Sequence, residues 1–316
     1  MNRWRIALSA LLLFAIAPPA AAAGDFSAQL DALWNFGQPA ESETKFRAEL
    51  ARHPAGSREA LETATQVART QSLRRQFAAA DATLDAVQPQ LQSAPARVRV
   101  RYLLERGRTR NSGGDKPAAV ALFKEALAAS ERDTLPEADY YRVDALHMLG
   151  IAAPAAEQLD WNKRALAAAE ASKEDRARGW AASLDNNIGW TYFEAGDPAT
   201  ALAHWKKALA QREAMGRKGA IVIARWTVAR GHRALGQLDE AEKIQLSLAA
   251  ETERDGEPDG YVYEELAEIE IARGNAKAAA PWAGKAYALL KDDPGLKANE
   301  QQRLARLARL AQDGGK

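Results

Sequence analysis

The side chains able to do chemistry are few and badly placed for it. The four histidines, His53, His147, His204 and His232, are scattered, and none has a second histidine or a cysteine at ligand spacing, so no metal site is encoded. Cysteine is absent altogether, which removes thiol catalysis, disulfides and lipid attachment through sulfur. No Gly-x-Ser-x-Gly elbow exists, and Asn111-Ser112-Gly113-Gly114-Asp115-Lys116 ends in a lysine without the leading strand or spacing of a phosphate loop. It reads as a turn between helices. Glu264, Glu265 and Glu268 carry carboxylates that could in principle act as acid and base, but at helical spacing they read as a solvated face. The sequence therefore predicts a protein that is not an enzyme and calls for no cofactor.

Arginine, tryptophan and asparagine are the side chains left for binding, and the elements that present them follow from composition. The chain has 316 residues, 47% hydrophobic and 27% charged, enough apolar content for a large core. Much of that content is alanine, the strongest helix former, and Val and Ile rarely alternate, so an all-α fold is expected. The opening MNRWRIALSALLLFAIAPPAAAAG has Arg3 and Arg5, an apolar stretch from Ile6 to Ala17 and small residues at Ala21-Ala22-Ala23. That is the pattern of a signal peptide of the bacterial export type, residues 1–23, which places the mature chain in the periplasm or outside the cell. A retained N-terminal anchor helix is the other reading. Losing Arg3 and Arg5 turns the formal net charge from +1 to −1, a balance that offers no general attraction to nucleic acid or anionic lipid. No other stretch is long and apolar enough to cross a membrane.

A repeat organises the rest. Gly189, Tyr192, Ala201 and Trp205 carry a small-x-x-Tyr pattern on one helix and Ala-x-x-x-aromatic on the next, with Gly196-Asp197-Pro198 as the turn between them. A second copy lies 82 residues earlier, where Gly107, Gly114-Asp115, Ala119, Phe123, Ala126 and Leu127 overlie Gly189, Gly196-Asp197, Ala201, Trp205, Ala208 and Leu209. The position of Ala201 recurs as Ser42, Ala80, Ala119, Gln158, Ala241 and Ala279, in steps of 38 to 43 residues. Seven helical hairpins result, and the chain resembles tetratricopeptide repeat proteins over residues 24–296, with long repeats similar to those of kinesin light chains. The resemblance is specific at 98–130 and 183–215 and poor at 26–53 and 140–170, where Ser42 and Gln158 replace the alanine. It implies a right-handed superhelical solenoid of antiparallel hairpins. Residues 297–316 form a C-terminal capping helix and tail, with Leu304, Leu307, Ala308 and Ala311 on one face and Arg303, Arg306 and Arg309 near the other. A basic amphipathic helix of this kind could also lie on a membrane surface.

In the family it resembles, the first helices of the hairpins line a concave groove that takes peptides. Counting from Gly189 and its equivalents by helical periodicity, the groove candidates are Arg69, Arg101, Arg108, Asn111, Tyr140, His147, Asn186, Trp190, Trp226, Arg230 and Arg233. Arginine forks hold carboxylates, Asn186 can clasp a peptide amide, and the aromatics suit binding hot spots. The expected partner is an acidic or carboxylate-bearing segment of another protein. Trp190 reads equally as core, and His147, beside Met148 and Leu149, reads first as an interior histidine. A small-molecule or glycan receptor, an accessory subunit of an envelope enzyme, and a self-assembling structural element are the alternatives.

Overall fold

The computed structural model describes residues 26–135 and 137–313, so the signal-peptide reading of residues 1–23 falls outside the described residues. Among the described residues there is no strand, and no helix is long and apolar enough to cross a membrane. The helices are α1 (Phe26–Ala32), α2 (Pro39–Leu50), α3 (Arg58–Leu73), α4 (Phe77–Val87), α5 (Ala96–Ser112), α6 (Lys116–Ser130), α7 (Ala138–Ala152), α8 (Ala155–Ala171) and α9 (Asp175–Arg178). They continue as α10 (Ala181–Glu194), α11 (Pro198–Met215), α12 (Lys218–Ala234), α13 (Leu238–Arg254), α14 (Gly260–Ala272), α15 (Ala276–Leu290), α16 (Pro294–Asn299) and α17 (Gln301–Asp313). Contacts divide the chain into two compact units, one ending at Leu184 and the other beginning at Asp185. Each is an array of antiparallel helix hairpins.

One turn joins the two helices of most hairpins. In the α10–α11 turn, Gly196 sits at φ +84°, where an L side chain is strained. The next N–H, of Asp197, reaches back to the carbonyl of Tyr192 at 2.9 Å, which closes the helix end. Asp197 then caps α11 by accepting from Thr200 N at 3.0 Å, with Pro198 in the first turn. The same reach-back recurs at Gln76, Asp115, Gln237 and Asn275. Arg75, at φ 60° without being glycine, takes the turn position between α3 and α4. The α7–α8 turn differs: Ala153 is extended, and Gln158 of α8 donates to the carbonyls of Ile151 and Ala153 at 3.2 and 2.9 Å. So the glutamine that breaks the alanine pattern supplies, from its side chain, bonds that the turn itself lacks.

Inside each hairpin a small residue permits close crossing. A methyl added at Gly189 would lie 2.4 Å from Trp205 Nε1, and one at Gly107 2.4 Å from Phe123 Cε1. Gly150 faces Asn162 at 2.6 Å in the same way. Ser42, Ala80, Ala119, Ala201, Ala241 and Ala279 are all fully buried, which is what stacking of one hairpin on the next requires. Ser42 tolerates this because its hydroxyl accepts from Asn35 N at 2.7 Å and donates to Asn35 O at 3.1 Å.

The C-terminal helix starts at Gln301, after the break of α16, and buries Leu304 and Leu307 against α15. Arg303 and Arg306, expected near the water face, instead turn back to Glu264 and Glu268 of α14. Burial of the leucine face leaves the membrane-surface reading of this helix without its apolar side.

Candidate protein-binding faces

The first helices of the hairpins carry the candidate residues, in two sets. In the unit ending at Leu184, α3 supplies Arg69, α5 supplies Arg101, Arg108 and Asn111, and α7 supplies Tyr140 and His147. Ion pairs bring most of them together, but the pairs are internal. Arg108 donates to Glu105 at 2.7 Å and to both oxygens of Asp144 at 2.5 and 2.6 Å. Arg69 reaches Glu105 at 3.5 Å, and Arg101 lies 3.3 Å from Glu62 and donates to the Tyr141 hydroxyl. Arg101 and Arg108 are buried. The physical reason is that a guanidinium on an inner helix face finds an acid one repeat away before it finds water.

Titration follows from that burial. Desolvation pushes the Glu62 carboxyl up, with Arg101 opposing it. For Asp144 burial also pushes upward, but the charges of Arg108 and Arg69 outweigh it and hold the carboxyl below its usual value. His147 is pushed down to about 4 by burial, the field of Asp144 working against that and Arg108 with it. Its ring packs 4.8 Å from Trp180, so it is the interior histidine that its neighbours suggested. Tyr140 is buried enough that its hydroxyl is pushed up, and the Arg176 guanidinium stands 3.5 Å over its ring. Asn111 lies at the half-buried end of α5.

In the unit from Asp185, α10 supplies Asn186 and Trp190, and α12 supplies Trp226, Arg230 and Arg233. Asn186 is buried, and its carbonyl accepts the Trp205 indole N–H at 3.2 Å. That bond is made by the backbone of Asn186 and not by its side-chain amide. Trp190, Trp226, Arg230 and Arg233 do form one half-buried strip. The Arg230 guanidinium lies 5.7 Å from the Trp190 ring, 5.6 Å from Phe193 and 5.5 Å from Trp226, within cation–π range of all three. Trp190 and Trp226 are 6.4 Å apart, and Trp226 Nε1 donates to the Tyr261 carbonyl at 3.0 Å. Glu265 of α14 receives both Arg233 and, at 3.6 Å, Arg230. Burial lowers the Arg230 pKa, with Glu265 only partly offsetting it.

The acids are what the sequence reading missed. Glu265, expected on a solvated face, is buried under Arg233, and Glu264 is held by Arg303. A signal for this was present: Arg69 and Glu105 are 36 positions apart, Arg108 and Asp144 also 36, and Arg303 and Glu264 39. Opposite charges one repeat apart meet across stacked hairpins. Among the described residues no three His, Cys, Asp or Glu are arranged to hold a metal ion.

Hairpins mostly closed by one repeated turn, with a glycine under the crossings at Gly107, Gly150 and Gly189, define a helical-repeat fold. The family model described as "Tetratricopeptide repeat" matches residues 182–215, and the fold is that of tetratricopeptide-like helical solenoids. No curated protein matches the chain. Among solved structures it is similar to the apo form of RapI, at 10% identity over 85% of this chain and 75% of that one, with a TM-score of 0.66. It is similar also to NprR in complex with its cognate peptide NprX, at 15% identity over 92% of this chain and 84% of that one, TM-score 0.51. A putative kinesin light chain from Podosopora anserina aligns at 18% identity over 62% of this chain and 96% of that one, TM-score 0.50. These likenesses concern the fold.

Proposed function

We propose that the chain is a non-enzymatic protein-interaction scaffold whose working surface is the strip of Trp190, Phe193, Trp226, Arg230 and Arg233, and that the strip takes a carboxylate-bearing peptide segment. The observation that carries this is the setting of Arg230: a guanidinium held against three aromatic rings, with the Glu265 carboxylate shared between it and Arg233. Rings restrain the guanidinium plane, so an incoming carboxylate meets a preorganised fork and loses less side-chain entropy on binding. Arginine and tryptophan are also the residues that dominate binding hot spots. NprR, solved with its cognate peptide, supports the view that arrays of this fold accept peptides. The positive start and apolar run of residues 1–17 support export, so the partner would be an envelope or extracellular protein.

Panning a random peptide library on the purified chain tests the reading, with Arg230→Glu and Trp190→Ala variants as controls. Retained peptides enriched in Asp, Glu or a free C-terminus, and lost by both variants, are the expected result. Peptides without acids, or retention indifferent to both variants, would overturn it. If no peptide is retained, the weight moves to a small molecule or glycan.

A further inference from the structure

The helix α1 is not built like the other first helices. It has seven residues, Phe26–Ala32, too few to hold a helix on their own, and it barely packs along α2. Its shape comes from the face it lies on. Phe26 and Leu30, one helical turn apart, are buried in an apolar cluster with Phe46 of α2 and Val67 of α3, and the Phe26 ring meets His53 edge-on at 5.2 Å. Ser27 and Asp31, the next pair along, reach much further. The Ser27 hydroxyl accepts from Arg97 of α5 at 2.9 Å and from the Tyr141 hydroxyl of α7 at 3.3 Å. Asp31 pairs with Arg176 of α9. The following residues continue along α3, where Trp34 Nε1 donates to Gln66 at 3.1 Å and Trp34 stacks on Phe36 at 4.4 Å beneath Arg69.

One short segment thus touches α2, α3, α5, α7 and α9, with apolar side chains at i and i+4 and polar ones at the next i and i+4. That is how an amphipathic helix is held in a groove by a separate receptor. We propose that the face of α3, α5, α7 and α9 is a receptor for a short amphipathic helix, with α1 as its resident occupant. The partner that fits is a segment of another protein with an aromatic and an aliphatic residue four apart, a hydroxyl and an aspartate or glutamate each one position later, and a tryptophan beyond. Arg97 and Tyr141 read the hydroxyl, and Arg176 reads the carboxylate. Because α1 is tethered by a six-residue connection, Leu33 to Gln38, its effective concentration at the face is on the order of millimolar. A partner therefore binds only when its segment outcompetes α1, or when α1 has been released.

The inference rests on the protein-binding reading only in general, and its test uses a peptide of known sequence and not a partner found through Trp190 and Arg230. A labelled synthetic peptide of residues 26–37 is titrated into the full chain and into a Leu30→Asp/Asp31→Arg variant, with fluorescence anisotropy as the readout. The variant binds the peptide, and the native chain binds it about 100-fold more weakly because the face is filled. Adding Arg176→Asp to that variant abolishes binding, and a peptide with arginine at the position of Asp31 recovers it. A double variant that is folded, with the melting temperature of the native chain, and yet does not bind the peptide overturns the proposal, as does binding indifferent to Arg176→Asp. Should the double variant fail to fold, hydrogen exchange of residues 26–36 is measured in an Asp31→Asn variant with and without excess peptide. Faster exchange in the presence of peptide shows displacement; unchanged exchange marks α1 as a fixed part of the fold and overturns the proposal.

Discussion

Arg108 of α5 holds Asp144 of α7 through both carboxylate oxygens, at 2.5 and 2.6 Å, while its other amino group donates to Glu105 at 2.7 Å. The three groups are buried, so the arginine acts as a bolt between neighbouring hairpins. Removing one partner of such a set leaves the others desolvated and unneutralised. Arg108→Met is expected to cost about 3–5 kcal/mol in urea unfolding, and Arg108→Met/Asp144→Leu to recover a large part of that. A native-like midpoint for the single variant would show that the buried pair contributes nothing net to stability.

The crossing at Gly189 gives a second expectation. A methyl there would sit 2.4 Å from Trp205 Nε1, and Trp205 is fully buried with its indole N–H committed to Asn186 O. Gly189→Ala should destabilise by about 1–3 kcal/mol through overpacking, and Gly189→Ala/Trp205→Leu should be less damaged than the sum of its parts. Gly196→Ala is the contrast: nothing lies within 4 Å of an added methyl, and the cost there is backbone strain at φ +84°, about 1–2 kcal/mol. Thermal melts of the three variants separate the two causes.

The hairpins were legible because steric demands recur with the repeat. Gly107, Gly189, Ala119, Ala201, Phe123 and Trp205 can be read as small or aromatic whatever lies around them, and their spacing alone fixes the crossing. Even Gln158 kept its frame, since Asn162 four residues later faces Gly150 as Trp205 faces Gly189. The binding faces were harder, because a residue's side of a helix says whether it looks inward and not what it meets. Arg101 and Arg108 were placed on the inner face by periodicity, and Glu62 and Asp144 consume them from adjacent hairpins. The place of α1 was beyond periodicity altogether: Ser27 and Tyr141 are 114 positions apart, and nothing local to either residue signals the other.

Stability should fall in mild acid through His147. Its folded pKa is pushed from 6.5 down to about 4 by burial, with Asp144, Arg108 and the Trp180 ring around it. Between those values the unfolded chain takes up a proton that the folded chain refuses. The contribution is complete above pH 6.5 and is lost as the pH falls towards 4, in all about 3 kcal/mol. Glu62, with its carboxyl pushed up, works in the opposite sense, so the comparison must be made between the native chain and His147→Gln. The variant should show the shallower dependence of urea midpoint on pH between 7 and 4; parallel curves would mean that His147 is protonated in the fold.

The end of the array depends on α17 in a way that separates packing from charge. Leu304 and Leu307 are buried against the cluster of Ala283, Ala286 and Leu290 on α15, while Arg303 and Arg306 grip Glu264 and Glu268 of α14. Leu307→Asp places an unpaired carboxylate in that apolar contact, which no rotation of the helix relieves while the two arginines hold it. A loss of about 3 kcal/mol or more is expected, and with the helix detached the uncovered α15 face should drive self-association. Light scattering after size exclusion reads the second effect, and Arg309→Ala, on the exposed side of the same helix, should change neither mass nor stability. Charge alone would be responsible if Arg303→Ala/Arg306→Ala caused association while Leu307→Asp did not, because the leucine change leaves both ion pairs their partners and removes only the apolar seat.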